Sequence, residues 1–188
     1  MMIRKIQYNS PVVLTFVAIS FCTLLLNELT NGLTNQLFFS VYRSSLLKPL
    51  TYFRLFGHVL GHVNWEHYVS NMMYILLLGP MLEERYGGKN LIFMFGIVAV
   101  TTGILNMMFF STGLLGASGI VFMMIILSSI VSKQQGKIPL TLILVALLFI
   151  GQEVITGATM KDHISQFAHI IGGLCGGIIG FSFRNNRS

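Results

Sequence analysis

The chain has 188 residues, of which 54% are hydrophobic and 10% are charged, and its mean hydropathy is +0.75. Soluble globular domains carry about 25% charged residues, so a soluble protein of this size could not bury so much apolar side chain, and its solvent must be lipid. The net charge of +6 does not favour a nucleic-acid partner, because the Lys and Arg residues are scattered between apolar runs and form no basic stripe.

Six apolar stretches, with the residues that flank them, are long enough for transmembrane helices, each of which needs about 20 residues. In chain order the predicted spans are Val12–Leu29, His67–Leu82, Leu91–Phe110, Ala117–Val131, Leu140–Ile155 and Ile164–Phe183. The sequence therefore predicts an all-α, polytopic membrane protein that forms a single domain over residues 1–188.

The segment Gly32–Gly61, between the first two spans, does not fit the pattern of a span. It is apolar but carries Arg43, Lys48, Pro49 and Arg54. We predict a long loop that lies partly in the membrane interface, anchored there by its Phe, Tyr and Leu side chains.

The Lys and Arg residues between spans predict the orientation of the chain. Arg4 and Lys5 precede an apolar stretch as in a signal peptide, but no small-residue cleavage site follows, so we predict a retained first span. With the N-terminus inside, the inner segments hold eight Lys and Arg residues and the outer segments hold four. We therefore expect both termini in the cytoplasm.

Three histidines, His58, His62 and His67, are close enough in sequence to suggest a metal site. Their spacings of four and five put His67 off the helical face of the other two, and no Cys or Asp supplements them. Cys22 and Cys175 lie inside apolar runs, where Cys acts as a small hydrophobe. We expect no metal and no other cofactor.

Two polar side chains near the start of the second span share one helical face. His67 and Asn71 are four residues apart, and both can donate hydrogen bonds. Polar side chains inside a span are costly and by default indicate function. A polar seam that holds two helices together is the alternative, and the spacing alone does not decide between the two.

The fourth span begins with Gly116-Ala117-Ser118-Gly119. Glycines beside a serine at a helix start allow close backbone approach and leave the first backbone N–H groups free. Those groups and the helix dipole would stabilise a developing oxyanion, so Ser118 is the candidate nucleophile. The alternative is a serine near an N-cap between small packing residues.

The sixth span carries His169 three residues before a row of glycines, Gly172, Gly176 and Gly180. Small residues at this spacing let two membrane helices touch backbones, so the same face aims His169 at a neighbouring helix. No acidic residue lies near His169 in its own helix, and Asp162 is two turns earlier. Glu153 is interpreted as an interfacial polar residue, so a Ser–His dyad is the simpler prediction. His67, Ser118 and His169 would all lie less than roughly 10 Å below the outer boundary.

Together these residues resemble the rhomboid family of intramembrane serine proteases, and in particular its bacterial-type members. The resemblance runs from about Arg54 to Gly180. It is carried by four motifs: His58, His62, His67 and Asn71 in the second helix, Glu83-Glu84-Arg85-Tyr86-Gly87 at its end, Gly116-Ala117-Ser118-Gly119, and Ala168-His169 followed by Gly172 and Gly176.

The resemblance implies a six-helix fold in which Ser118 is the nucleophile and His169 the general base. It implies an oxyanion hole made by His67, Asn71 and the backbone N–H of Ser118, supported by Gly116, Gly119, Phe122, Gly172 and Gly176. It further implies a multi-pass protein of a bacterial cell membrane, whose substrates are transmembrane proteins with locally unstable helices and a small residue before the cut.

Two residues depart from the family pattern. Phe122 stands where many relatives have a Tyr that stacks on the catalytic His, and a Phe ring can still stack there. Leu115 replaces a glycine often found ahead of the nucleophile motif, which narrows or reshapes the local cavity.

Two other functions remain open at this stage. One is an inactive relative that binds membrane proteins without cutting them, although such relatives usually lose one of the four polar site residues. The other is a small transporter or channel, which predicts broken helices near the midplane and acidic residues deep in the spans, and the sequence shows neither.

Overall fold

The computed structural model describes residues 8–131, 140, 141, 143, 144, 146–148, 150, 151, 155, 170–176, 178, 179 and 182. In this part of the chain the regular structure is helical, apart from one isolated β-bridge. The helices are α1 (Pro11–Leu29), α2 (Pro49–Gly57), α3 (Trp65–Tyr86), α4 (Gly88–Phe109) and α5 (Ser118–Val131), with a π-helical turn at Asn35–Phe39 and a 3-10 turn at His58–Leu60. The described residues from 140 to 155 and from 170 to 182 are also helical. The prediction of an all-α protein is confirmed.

Among the described helices, α1 and α4 are long and apolar enough to cross a membrane, each with a mean hydropathy of 2.0. Helix α3 has 22 residues but carries Glu66 in its first turn and Arg85 in its last. The apolar part of α5, Ser118–Ser129, is shorter than a span. These four helices begin and end within three or four residues of the first four predicted spans.

Helix α5 lies at the centre of the described bundle, where it packs against α3 and α4. Six of its apolar side chains are at most 1% exposed: Ile120, Val121, Met123, Met124, Ile125 and Leu127. Ala117 and Ser118, where the helix begins, are also buried. The candidate nucleophile therefore starts a helix inside the protein and not at its surface.

The far end of α3, which is its C-terminal end, is joined to the beginning of α1 by hydrogen bonds to a single carboxylate. Glu83 is 7% exposed, and its two oxygens accept hydrogen bonds of 3.0 Å from the backbone N–H groups of Val12 and Val13. These N–H groups are among the four that a helix cannot satisfy at its own start. Glu83 thus caps α1 with a negative charge at the positive end of the helix dipole.

The predicted loop Gly32–Gly61 is more ordered than the sequence suggested, because it contains the π-helical turn, α2 and the 3-10 turn. Pro49 occupies the first turn of α2, a position that needs no N–H and suits the fixed backbone of proline. Arg54, which the sequence presents as a loop charge, is 6% exposed. Its Nε donates to the carbonyl of Leu37 at 2.7 Å, and its guanidinium lies 4.4 Å from the ring centre of Tyr42.

This segment is also joined to the residues that precede α5. Val41 and Leu114 form the isolated bridge, with reciprocal backbone hydrogen bonds of 2.9 Å. The side-chain nitrogen of Asn106 donates to the carbonyls of Val41 and Thr112, each at 3.1 Å. The chain just before the candidate nucleophile is therefore held by the segment between α1 and α3.

Candidate active site

Ser118 is the first residue of α5 and is 7% exposed. Gly116, two residues earlier, has a φ of +121°, a conformation that residues with a Cβ rarely adopt. The first helical hydrogen bond runs from the N–H of Val121 to the carbonyl of Ala117, so the N–H groups of Ser118 and Gly119 precede the hydrogen-bonded ladder. Such N–H groups can donate hydrogen bonds to a bound anion.

His67 approaches this turn from the beginning of α3. The side chain of Asn64 caps α3 by accepting a 2.9 Å hydrogen bond from the N–H of His67. The imidazole lies directly against Gly116, because a Cβ on Gly116 would be 2.7 Å from Cε1 and 2.8 Å from Nε2 of His67. Gly116 therefore serves two purposes, since it permits the positive φ and leaves room for the ring.

Asn71 lies one turn further along α3 and is 1% exposed. Its Nδ2 donates to the carbonyl of His67 at 2.9 Å, and its Oδ1 has no hydrogen-bond partner among the described residues. Because a carbonyl can only accept, the nitrogen must face it, which fixes the orientation of the amide. Among the described residues Nδ2 makes this one hydrogen bond, so its second N–H has no partner there.

His58 links the 3-10 turn to α4. Its Nδ1 lies 3.2 Å from the carbonyl of Arg54 and its Nε2 lies 3.3 Å from the hydroxyl of Thr102. Its backbone carbonyl accepts a 2.9 Å hydrogen bond from the N–H of Gly116. Burial lowers the pKa of His58 to about 4, so the ring is neutral at pH 7.

His62 is fully buried beside His67, with 5.0 Å between the ring centres and an edge-to-face angle of 65°. Its Nδ1 lies 3.1 Å from the carbonyl of Leu60. Burial first, and then the charge that His67 could carry, lower the pKa of His62 to about 3. In the part of the chain that the structure describes, no group of three or more His, Cys, Asp or Glu side chains could hold a metal ion.

The glycines of the last helix lie directly against α5. A Cβ on Gly172 would collide with the backbone carbonyl of Gly119, and one on Gly176 would lie 2.9 Å from the carbonyl oxygen of Met123. A Cβ on Gly173 would lie 2.6 Å from the ring of Phe122. Backbone thus touches backbone next to Ser118, at the place where the glycine spacing predicts a close helix contact.

The structure places His67 against Gly116 and Gly172 against Gly119, and Ser118 lies between these two glycines in the sequence, where α5 begins. Asn71 lies one helical turn after His67 in α3. His169, Gly180 and Glu153 lie outside the described residues. Thr102 and Asn106, which are both buried, support the site and were not predicted. Two polar residues four apart in an apolar run are a signal that the sequence itself carries.

Most of the chain is similar to one known family of proteins. A family model of the rhomboid domain matches residues 49–186, which cover the helix of His67 and Asn71, the turn before Ser118 and the last helix. No curated protein matches the chain. Because the family model covers well over half of the sequence, the chain belongs to the rhomboid family.

Proposed function

We propose that this protein is an intramembrane serine endopeptidase with Ser118 as nucleophile and His169 as general base. The observation that carries the proposal is the backbone contact between Gly172 and Gly119. Gly119 follows the candidate nucleophile directly, and Gly172 comes three residues after the candidate base in the sequence. A base needs to come within hydrogen-bonding distance of its nucleophile, and helices that touch backbones give it that opportunity.

The proposed reaction follows from the roles of these groups. His169 removes the proton from Ser118 as Oγ attacks the substrate carbonyl, and the oxygen of the tetrahedral intermediate accepts hydrogen bonds from the N–H of Ser118 and the side chains of His67 and Asn71. His169 then gives the proton to the leaving amine. Water, activated in the same way, releases the acyl group from Ser118.

The membrane setting belongs to the same proposal. We propose six transmembrane helices, both termini in the cytoplasm and a site near the outer face of a bacterial cell membrane, with transmembrane proteins as substrates. The apolar helices α1 and α4 support a membrane location, and the excess of Lys and Arg in the inner segments supports the orientation.

A second candidate is a family member that binds membrane proteins without cutting them. One observation favours it, because the amide of Asn71 bonds to a carbonyl of its own helix, as a packing residue would. The buried Ser118 and the glycine that makes room for His67 have no evident use in this alternative.

The experiment that tests the proposal is incubation of the purified protein with a set of single-span membrane proteins, followed by mass spectrometry of the products. We expect one cut near the outer end of at least one substrate and none with Ser118→Ala. A fluorophosphonate should label Ser118 in the wild type. Binding of the same substrates without cutting or labelling would favour the second candidate.

A further inference from the structure

An apolar groove of about 460 Å³ lies between α1 and α4, beside the 3-10 turn. Buried residues form its floor, where the rings of Phe16 and Phe95 meet edge to face with 5.2 Å between their centres. Exposed side chains form its rim, namely Ile19, Phe56 and Ile92. The groove is therefore open to whatever surrounds the protein.

The lining of the groove suits a hydrocarbon chain. Among the described lining residues only Thr15 has a polar side chain, and its hydroxyl lies 3.3 Å from the hydroxyl of Tyr8. A polar ligand would lose its hydrogen bonds with water here and find few in return. The volume lies within the range of about 300–1,000 Å³ that is usual for ligand sites. Because α1 and α4 are long and apolar enough to cross a membrane, acyl chains are the molecules that surround the rim.

A cationic side chain, Lys89, lies at one end of the groove. Val12 lines the groove, and a Cβ on Gly88 would lie 2.9 Å from its Cγ2, so the groove reaches the beginning of α4. Lys89, the next residue, is exposed and lies one helical turn before the rim residue Ile92. Residues 1–10 and 83–89, which lead into α1 and α4, hold four cations and two carboxylates: Arg4, Lys5, Arg85 and Lys89 against Glu83 and Glu84, of which Glu83 is buried. This excess of cations favours an anionic headgroup over a neutral one.

We propose that this groove binds an anionic phospholipid, with an acyl chain along α1 and α4 and the phosphate at the end where Lys89 lies. The inference goes beyond the proposed protease function and does not depend on it. Three observations act together: the walls disfavour a polar ligand, the bilayer supplies acyl chains at the rim, and the excess of cations selects the charge of the headgroup.

A lipid in this groove would contact the turn that holds the beginning of the candidate active site. Val59 and Leu60 line the groove and belong to the 3-10 turn, in which the carbonyl of His58 accepts a hydrogen bond from the N–H of Gly116. The carbonyl of Leu60 accepts a hydrogen bond of 2.7 Å from the hydroxyl of Thr23 in α1. A ligand that binds the folded state alone raises the free energy of unfolding, so we expect bound lipid to raise the thermal midpoint.

The first test measures bound lipid directly. The purified full-length protein, in a non-ionic detergent and stripped of lipid, is titrated with phosphatidylglycerol or with phosphatidylcholine that carries the same acyl chains. Native mass spectrometry counts the retained lipids and reports the oligomeric state. We expect a single phosphatidylglycerol to bind about fivefold more tightly than phosphatidylcholine, the effect of one Lys on one negative charge near a membrane surface. Equal affinities would overturn the inference, and so would the absence of retained lipid.

The second test fills the groove with a ring. Thr15→Phe places an aromatic side chain on the α1 wall, and we expect it to lose the retained phosphatidylglycerol together with the rise in thermal midpoint that this lipid causes. Ala18→Phe is the matched control, because Ala18 is also an exposed residue of α1 but does not line the groove, so its lipid binding should equal that of the wild type. Unchanged binding by folded Thr15→Phe would count against the site.

The third test removes the cation. Lys89→Gln should weaken the binding of phosphatidylglycerol about fivefold and leave that of phosphatidylcholine unchanged. Lys48→Gln is the control, because Lys48 is equally exposed but lies at the start of α2, away from the beginning of α4. An equal loss in both variants would indicate a general effect of charge and would refute the assignment. Lys89→Gln changes no packing residue, so it decides the question if Thr15→Phe does not fold.

Other occupants of the groove predict different results in the same measurements. If a second copy of the chain covered it, the wild type would be a dimer that Thr15→Phe converts to a monomer without a change in bound lipid. If a substrate helix covered it, Thr15→Phe would raise KM in lipid-free detergent, again without a change in bound lipid. Either result would overturn the lipid assignment. None of the lipid measurements needs catalysis, and Ser118→Ala should bind phosphatidylglycerol as the wild type does, so the inference and the protease proposal can fail separately.

Discussion

The two ends of α3 use buried polar side chains in opposite ways. At the C-terminal end of α3, each oxygen of Glu83 accepts a hydrogen bond from the backbone of α1, so neither carboxylate oxygen is without a partner. At the beginning, Oδ1 of Asn71 has no partner among the described residues, and His67 faces a glycine. A fully partnered buried group stabilises the fold, whereas a partly unsatisfied one stabilises it less and remains able to bind a substrate. We therefore expect mutations at the beginning of α3 to lower turnover, and mutations at its far end to lower stability.

The largest effect is expected at the nucleophile and the base. Ser118→Ala and His169→Ala should abolish cleavage, because the proposed mechanism has one nucleophile and a serine is a weak nucleophile without a base. Turnover is measured with a fluorescent single-span substrate, and thermal midpoints in the same detergent should stay near that of the wild type. Undiminished cleavage by either variant would contradict the proposed dyad.

Asn71→Ala tests the beginning of α3 directly. If the amide donates to the oxyanion, its loss should cost about 2.7–4 kcal/mol in the transition state, a hundredfold or more in turnover, with little change in substrate binding. If it serves only the structure, through its hydrogen bond to the carbonyl of His67, stability should fall by about 0.5–1.5 kcal/mol, the usual net contribution of one hydrogen bond, and turnover of the folded protein should persist. The turnover number and the thermal midpoint, measured on one sample, distinguish these outcomes.

Gly172→Ala tests the contact between α5 and the last helix. The added methyl group would collide with the carbonyl of Gly119 and push the helices apart. A misplacement of about 1 Å can lower a rate roughly a hundredfold. The matched control is Gly96→Ala in α4, where a Cβ would meet nothing within 4 Å, and this variant should cleave normally. Equal activities of the two variants would remove the glycine contact from the mechanism.

Glu83→Gln tests the far end of α3 and should show the reverse pattern from Asn71→Ala. The substitution removes a charge and one acceptor from the start of α1, which should cost about 1–3 kcal/mol of stability. Turnover of the protein that remains folded should be unchanged, because Glu83 lies at the other end of α3 from His67. Glu84→Gln is the control, because Glu84 is exposed. A normal midpoint combined with lost turnover would reverse the interpretation of the two ends.

The last prediction concerns the pH dependence of stability, with no change to the sequence of the site. The folded pKa values of His58 and His62, about 4 and about 3, lie below the ordinary value of 6.5. Below pH 6.5 the unfolded chain binds protons that the folded chain excludes, so the stability present above pH 6.5 is lost as the pH falls toward the folded values. Each histidine should remove about 1.4 kcal/mol between pH 7.5 and pH 5.5. The drop in midpoint should be smaller in His62→Gln than in the wild type, and an identical drop would refute the assignment.

The sequence predicted the long helices well because a helix that crosses a lipid bilayer needs a long apolar run, which is visible in the sequence. The apolar runs that predict spans reappear as α1, α3, α4 and α5, and the glycine spacing anticipated the approach of the last helix to α5. Helix α2 was missed because its nine residues are shorter than any span and contain Arg54. The burial of that charge depends on a carbonyl and an aromatic ring elsewhere in the loop.

The supporting interactions of the site could not be predicted in the same way, because their acceptors are backbone carbonyls. The partners of His58 include the carbonyl of Arg54, and those of Asn106 are the carbonyls of Val41 and Thr112. Every residue has a carbonyl, so its availability depends on the backbone path and not on residue type. The sequence identifies polar residues that need partners, and only the fold supplies those partners.

The bridge between Val41 and Leu114 joins two segments of the chain that are synthesised at different times. The turn before Ser118 is held by residues synthesised much earlier, and Gly172, which touches Gly119, is synthesised much later. A ribosome-bound chain that has just inserted α5 has the proposed nucleophile but lacks both the proposed base, His169, and the helix that carries Gly172. We therefore expect the nascent chain to have no proteolytic activity until its C-terminal segment has entered the bilayer.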